Sequence, residues 1–180
     1  PDLGCFGKAI SGGFPLSVLC GRAEFMRRMD EVFVSTTFGG YTLGLAAAMV
    51  TIKMMREYGD VHQHLHSLGN HLIDQANIIA AASGLPINFS GYGPHPVMKV
   101  NLPDLDSRVM KTYIYQEMAN RGILFSSSIL VGYCHKSEMI DEVLNVFQDI
   151  CAKLKELKTT EVIRKVLRGE VIAPRTVRNS

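Results

Sequence analysis

The sequence has no tryptophan, no Cys-x-x-Cys pair, no long apolar run and no large excess of either charge. Each absence removes a class of function. Cys5, Cys20, Cys134 and Cys151 lie far apart, which argues against a disulfide framework or a thiolate zinc centre and fits reduced thiols in a cytoplasmic protein. The longest apolar stretch, Leu43 to Ile52, contains Gly44 and Thr51 and falls well short of the roughly 20 residues of a spanning helix, so no membrane role is expected. A formal net charge of +2, with no basic stripe interleaved with aromatics, gives no electrostatic footprint for nucleic acid. No signal-peptide architecture precedes the first loop, and an opening on Pro1 rather than Met reads as the cut end of a larger domain.

What is present is a chain of 180 residues, 47% hydrophobic, which is enough to bury a real core. Residues Gly4 to Val34 mix glycines with short apolar runs such as Pro15 to Cys20, and read as loop, short strand and a short helix around Ala23 to Met29. A polar turn, Ser35 to Gly40, precedes an uninterrupted helical pattern from Thr42 to Tyr58. Val61, Leu65, Leu68, Leu72, Ala76 and Ile79 recur at helical spacing over 61–82, with Gly59-Asp60 as the hinge between the two helices.

After Gly84 the pattern turns strand-like, at Ile87 to Phe89 and Val97 to Asn101, separated by the turn-rich Ser90 to Pro96. A helix over Ser107 to Asn120 ends at Gly122, and Ile123 to Phe125 and Ile129 to Tyr133 read as two more short strands. Ser137 is expected to cap a long helix whose stripe runs through Ile140, Val143, Leu144, Phe147, Ile150 and Leu154. A short helix, Thr160 to Leu167, and a polar tail containing Pro174 follow. The class is α/β or α+β, with a boundary expected near Gly59.

Chemistry concentrates in Leu3-Gly4-Cys5-Phe6-Gly7-Lys8-Ala9-Ile10-Ser11-Gly12-Gly13-Phe14-Pro15, where one lysine sits among small residues. Glycines let the backbone turn tightly and approach a bulky ligand, and a lysine of restricted hydration can lose its proton and attack a carbonyl. The alternative is a surface lysine in a flexible loop. Downstream, Thr37, Gly39 and Gly40 stand before a helix start, where free amides favour an anion; the plainer reading makes Thr37 a helix cap.

Pro1-Asp2-Leu3, Gly7-Lys8-Ala9-Ile10, Gly12-Gly13, Pro15 and Gly21-Arg22 occur in order, followed by Thr37-Phe38-Gly39-Gly40 and Leu45-Ala46-Ala47-Ala48. This series resembles the class III pyridoxal phosphate-dependent aminotransferases, including their glutamate-1-semialdehyde aminomutase branch, in their carboxyl-terminal part. The resemblance implies the α/β fold of type I pyridoxal phosphate transferases, with 1–59 a remnant of the large cofactor-binding domain and 60–180 the small carboxyl-terminal α+β domain. It implies pyridoxal 5'-phosphate as cofactor, Lys8 as its Schiff-base lysine and proton carrier, and Thr37, with Gly39 and Gly40, at the phosphate, reaching across a homodimer interface. The implied substrates are a small amino donor and a keto or aldehyde acceptor. The family's ring-binding aspartate, stacking aromatic and main phosphate turn precede the lysine, so this chain is expected to be inactive alone.

Two positions depart from the family pattern. Tyr41-Thr42 stands where Asn-Pro is common, and Gly39-Gly40 where the aminomutase branch has Ser-Gly, which favours an aminotransferase over an aminomutase. The substrate-binding arginine of other branches has no match in Ser126 to Tyr133. The rival reading is a non-catalytic assembly module. His62, His64, His66 and His71 suggest metal, but the apolar face leaves most of them on the solvated side with no acidic or cysteine ligand near, so no metal is expected. Met49, Met54 and Met55 are expected to fill a packing surface, and Arg22 to fix the loop after its strand.

Overall fold

The computed structural model describes residues 1–174 and divides into two compact units, the first ending at Val61 and the second starting at His62. The last six residues of the expected polar tail lie outside the described residues.

In the first unit, β1 (Leu3–Phe6) and β2 (Val18–Gly21) pair antiparallel, with Gly4 opposite Cys20 and Phe6 opposite Val18. Their base is tied by Arg22, whose amide donates to Asp2 O at 3.0 Å and whose guanidinium meets Asp2 Oδ1 at 2.9 Å and Glu24 Oε1 at 2.8 Å. The helix expected over 23–29 is shorter in α geometry: α1 (Ala23–Met26) passes into a 3-10 stretch, Arg27–Glu31. Helix α2 (Thr42–Glu57) then buries only Gly44 and Ala48. Met49, Met54 and Met55 are therefore exposed rather than packed, because the contact face of α2 in this unit is its narrow small-residue stripe.

In the second unit the chain runs α3 (Val61–Ser83), β3 (Ile87–Tyr92), β4 (His95–Val100), α4 (Asp104–Ala119), α5 (Ser137–Leu157) and α6 (Thr160–Lys165). β3 and β4 form an antiparallel hairpin with Phe89 opposite Met98. Alternation puts Ile87, Phe89, Met98 and Val100 into a core with Leu72, Ile114, Phe147 and Ile150 from the helices. Phe89 and Phe147 meet edge to face at 5.3 Å. The turn is tighter than the expected loop from Ser90 to Pro96, since Gly91, at φ 114, lets the ladder run on to Tyr92 and His95.

The hairpin joins the helical layer at two close points. A Cβ on Gly69 of α3 would lie 1.6 Å from Gly93 O, so backbone meets backbone there. Asn77 acts as a substitute strand: its Nδ2 donates to Phe89 O at 2.8 Å and its Oδ1 accepts from Phe89 N at 2.7 Å. Both backbone groups of a buried residue are thereby satisfied.

Two expectations for this unit are corrected. Residues 123–125 and 129–133 form no strands; instead 127–131 lies along the start of β4 with one isolated bridge, Val97 to Ser128. Met98 N donates to Ser127 O, and Ile129 N and Val131 N donate to Pro96 O and Pro94 O. Pro94 and Pro96 have no amide to return, so a regular ladder cannot close. Ser137 is not the cap of α5; Lys136 holds that position with no side-chain bond, whereas at α6 the Thr159 hydroxyl accepts from Val162 N.

Candidate active site

Lys8 stands on the loop joining β1 to β2, at the start of a 3-10 turn, Lys8–Ser11. Its φ is 52°, a left-handed backbone that costs a side-chain-bearing residue about 1–2 kcal/mol. Gly7 before it is extended, and Gly12 and Gly13 after it take φ 58° and 103°. The loop is held from beneath by Ser11, which is fully buried and whose hydroxyl donates to Phe14 O at 2.6 Å. A strained lysine on a braced loop, with its side chain exposed, is a position where a glycine would cost less. The lysine is kept there at a cost to folding, which points to its amine.

The turn from Thr36 closes through Gly39 N to Thr36 O at 3.1 Å, and the next through Tyr41 N to Phe38 O at 3.1 Å. Thr37 is exposed and is not the cap of α2; Tyr41 holds that position without a side-chain bond, so the helix's first amides carry no capping side chain. A Cβ on Gly39 would lie 3.0 Å from Thr36 Oγ1, while one on Gly40 would meet nothing within 4 Å.

Lys8, Ser17, Thr36, Thr37 and Gly39 line one open cavity of about 590 Å³, whose floor includes Phe14. Of the four expected site residues, the structure brings Lys8, Thr37 and Gly39 to this wall and leaves Gly40 off it. The amine suits a carbonyl, and the hydroxyls with the bare glycine backbone suit an anionic group. Pyridoxal phosphate carries both groups, its phosphate being expected to meet Thr37 from across a homodimer interface.

Sequence reading missed Ser17 and Tyr41. Ser17 joins the lining through the turn back from Lys8 into β2. Tyr41 is half-buried between Phe14, with ring centroids 6.4 Å apart, and Phe38, edge on at 5.8 Å. Its departure from the family's Asn was the one available signal. Beneath the rings α2 comes close: a Cβ on Gly44 would lie 3.3 Å from both Pro15 O and Tyr41 Cδ1.

Three of the four α3 histidines make contacts within the fold. His64 donates to His135 O at 3.0 Å, His66 packs edge on to Tyr92 at 4.4 Å and His71 meets Asp141 Oδ1 at 2.9 Å. His62 and His71 are exposed but His64 and His66 are half-buried, so two of the four rather than most lie on the solvated side, because the hairpin turn and the loop before α5 cover the others. Among the described residues no group of three His, Cys, Asp or Glu side chains could hold a metal ion, and no helix is long and apolar enough to cross a membrane.

The family model "Aminotransferase class-III" matches residues 1–151. The glutamate-1-semialdehyde 2,1-aminomutase of Syntrophobacter fumaroxidans is 30% identical over 172 residues, covering 87% of this chain and 40% of that protein. The 3-aminobutyryl-CoA aminotransferase of Cloacimonas acidaminovorans is 25% identical over 162 residues, covering 87% and 39%. The FumI protein of Sphingopyxis sp. MTA144, solved in its PLP internal aldimine form, superposes with a TM-score of 0.77 at 22% identity over 87% of this chain and 37% of its own. That likeness shows the fold, mixed α/β, and together with the family match it makes the chain part of a PLP-dependent transferase of fold type I. The chain spans about 40% of the length of the curated relatives it matches.

Proposed function

The chain belongs to the class III aminotransferase family, and from that premise we propose that the protein carrying it is a pyridoxal 5'-phosphate-dependent aminotransferase. It moves an amino group between a small donor and a keto or aldehyde acceptor. The observation that carries the reading is Lys8: an exposed amine on a left-handed, glycine-flanked backbone, facing a cavity shared with Thr37 and Gly39.

Lys8 would hold the cofactor through its aldehyde, and its amine, when free, would carry a proton at the substrate carbon. The bound cofactor supplies an electron sink for the pair left on the substrate carbon. Thr37 would donate its hydroxyl to the cofactor phosphate across the interface of a homodimer, and Gly39 and Gly40 would let that group approach the backbone. In this reading residues 1–59 are a remnant of the large cofactor-binding domain and 60–180 the small carboxyl-terminal domain. The setting is cytoplasmic, which four free cysteines suit.

A second reading, a glutamate-1-semialdehyde-type aminomutase, is supported by the name of the relative at 30% identity. The two separate by assay of the native protein with its complete chain. An aminotransferase consumes an added carbonyl acceptor, whereas an aminomutase isomerises a single substrate without one. In either case Lys8→Ala is expected to lower turnover by about a thousandfold or more. Turnover that survives the substitution refutes both, and a native protein that forms no cofactor adduct on Lys8 and shows no turnover leaves the assembly-module reading.

A further inference from the structure

We propose that the second unit carries a phosphate-binding pocket between β4 and α4. The inference does not depend on the cofactor reading, since no residue of the Lys8 cavity takes part. A concavity of about 400 Å³ is lined by Lys99 of β4, by Asp104, Arg108, Lys111 and Tyr115 of α4, and by Ser127 of the segment that lies along β4. Three cations and one carboxylate face it. The surplus of two positive charges matches a phosphate monoester, which carries about −2 near neutral pH.

The fold leaves the donors of this wall partly unused. Arg108 is fixed by two bonds: its Nε donates to Asp104 Oδ2 at 3.0 Å and one terminal nitrogen to Ile172 O at 2.9 Å. Its other terminal nitrogen has no partner among the described residues, and neither lysine has an acidic one. Tyr115 Oη accepts from Ser127 N at 2.8 Å and shares one further hydrogen bond with Ser127 Oγ. Two hydroxyls joined by one bond have a second hydrogen to give, and no acceptor for it is found among the described residues. A phosphate group supplies three acceptor oxygens for such charge-assisted bonds.

The chain after α6 completes the pocket. Arg168 N donates to Gln116 Oε1 at 2.7 Å and Ile172 N to Thr112 Oγ1 at 3.1 Å, which straps this segment along α4. Ile172 thereby forms part of the wall, beyond residue 151, where the family match ends. The cavity is of the size that takes small ligands, so the phosphate is either inorganic or carried on a small organic body.

The test uses the native protein with its complete chain, loaded with cofactor and freed of excess. Lysine acetylation at constant ionic strength is followed by peptide mass mapping, with inorganic phosphate, glycerol 3-phosphate or glycerol as the added probe. At about ten times its Kd, either phosphate compound is expected to slow labelling of Lys99 and Lys111 about tenfold and to leave the exposed Lys53 unprotected, while glycerol protects none of the three. Lys111→Gln is expected to weaken the protection of Lys99 about tenfold, the worth of one charge-assisted contact. Equal potency of the two phosphate compounds supports a site for the free anion, and greater potency of the ester supports a site that also holds the organic body. Protection of Lys53 in step with the pocket lysines shows charge screening alone and overturns the proposal. So does a lack of protection by both phosphate compounds, or protection of Lys99 that Lys111→Gln leaves unchanged.

Discussion

Gly69→Ala sets two forces against each other, and the structure decides the sign. In an ordinary helix interior the change stabilises by about 1 kcal/mol, because alanine has less backbone entropy to lose. Gly69 instead faces the hairpin turn, and the new Cβ would lie 1.6 Å from Gly93 O and 2.4 Å from Gly93 C. A carbon and a carbonyl oxygen rest at about 3.3 Å, so α3 and the turn would have to separate by roughly 1.7 Å. Both sides are main chain, and no side-chain rotation relieves the contact. Separation also loosens Leu68, Leu72 and Ala76, which lie on the same buried face. Overpacking of this kind costs about 3 kcal/mol or more, so the net expectation is a loss of about 2 kcal/mol. At a urea dependence of about 2 kcal/mol per molar, the unfolding midpoint followed by circular dichroism falls by about 1 M. A midpoint that is unchanged or raised would refute the backbone contact between α3 and the hairpin.

Three further outcomes are expected. Asn77→Ala leaves the amide and carbonyl of buried Phe89 without partners and should cost about 3 kcal/mol in the same unfolding assay; a loss below 1 kcal/mol would show that water replaces the amide. Burial pushes the Glu117 carboxyl up, but hydrogen bonds from Gln116 and Arg121 and the charges of Lys153 and Arg121 hold it below its ordinary value of 4.5 on balance. The stability it contributes is therefore present above that pH and lost as pH falls through the lowered value, and Glu117→Gln should flatten the acid side of the stability profile; an unchanged acid slope counts against the network. Burial raises the Cys151 thiol to about 12, so alkylation at pH 8 should label exposed Cys5, Cys20 and Cys134 and spare Cys151 until unfolding; equal labelling of all four contradicts the core placement.

The long helices were legible because their apolar residues recur at the helical period over several turns. The stripe from Leu65 to Ala76 and that from Ile140 to Leu154 both face the core. Gly122 was legible as a stop for a local reason: its φ of 77° lets Ile123 N reach back to Met118 O. The segment 123–133 was not legible, since its apolar run resembles a strand and only the position of two prolines opposite it prevents the ladder. The cover over His64 and His66 was not legible, because helical spacing marks the main stripe and says nothing of a turn or loop that folds over its border. At the candidate site, residue type and spacing singled out Lys8, Thr37 and Gly39, which the structure places on one cavity wall. The Tyr41 ring pair could not be found that way, because it joins side chains whose approach depends on how α2 crosses the lysine loop.

Borohydride reduction of the native, cofactor-loaded protein, followed by peptide mass mapping, tests the central claim most directly. The account predicts a phosphopyridoxyl adduct on the peptide containing Lys8, and no stable adduct at the site in Lys8→Ala. An adduct on a different lysine, or a coenzyme still held through a reducible bond after Lys8→Ala, would contradict it.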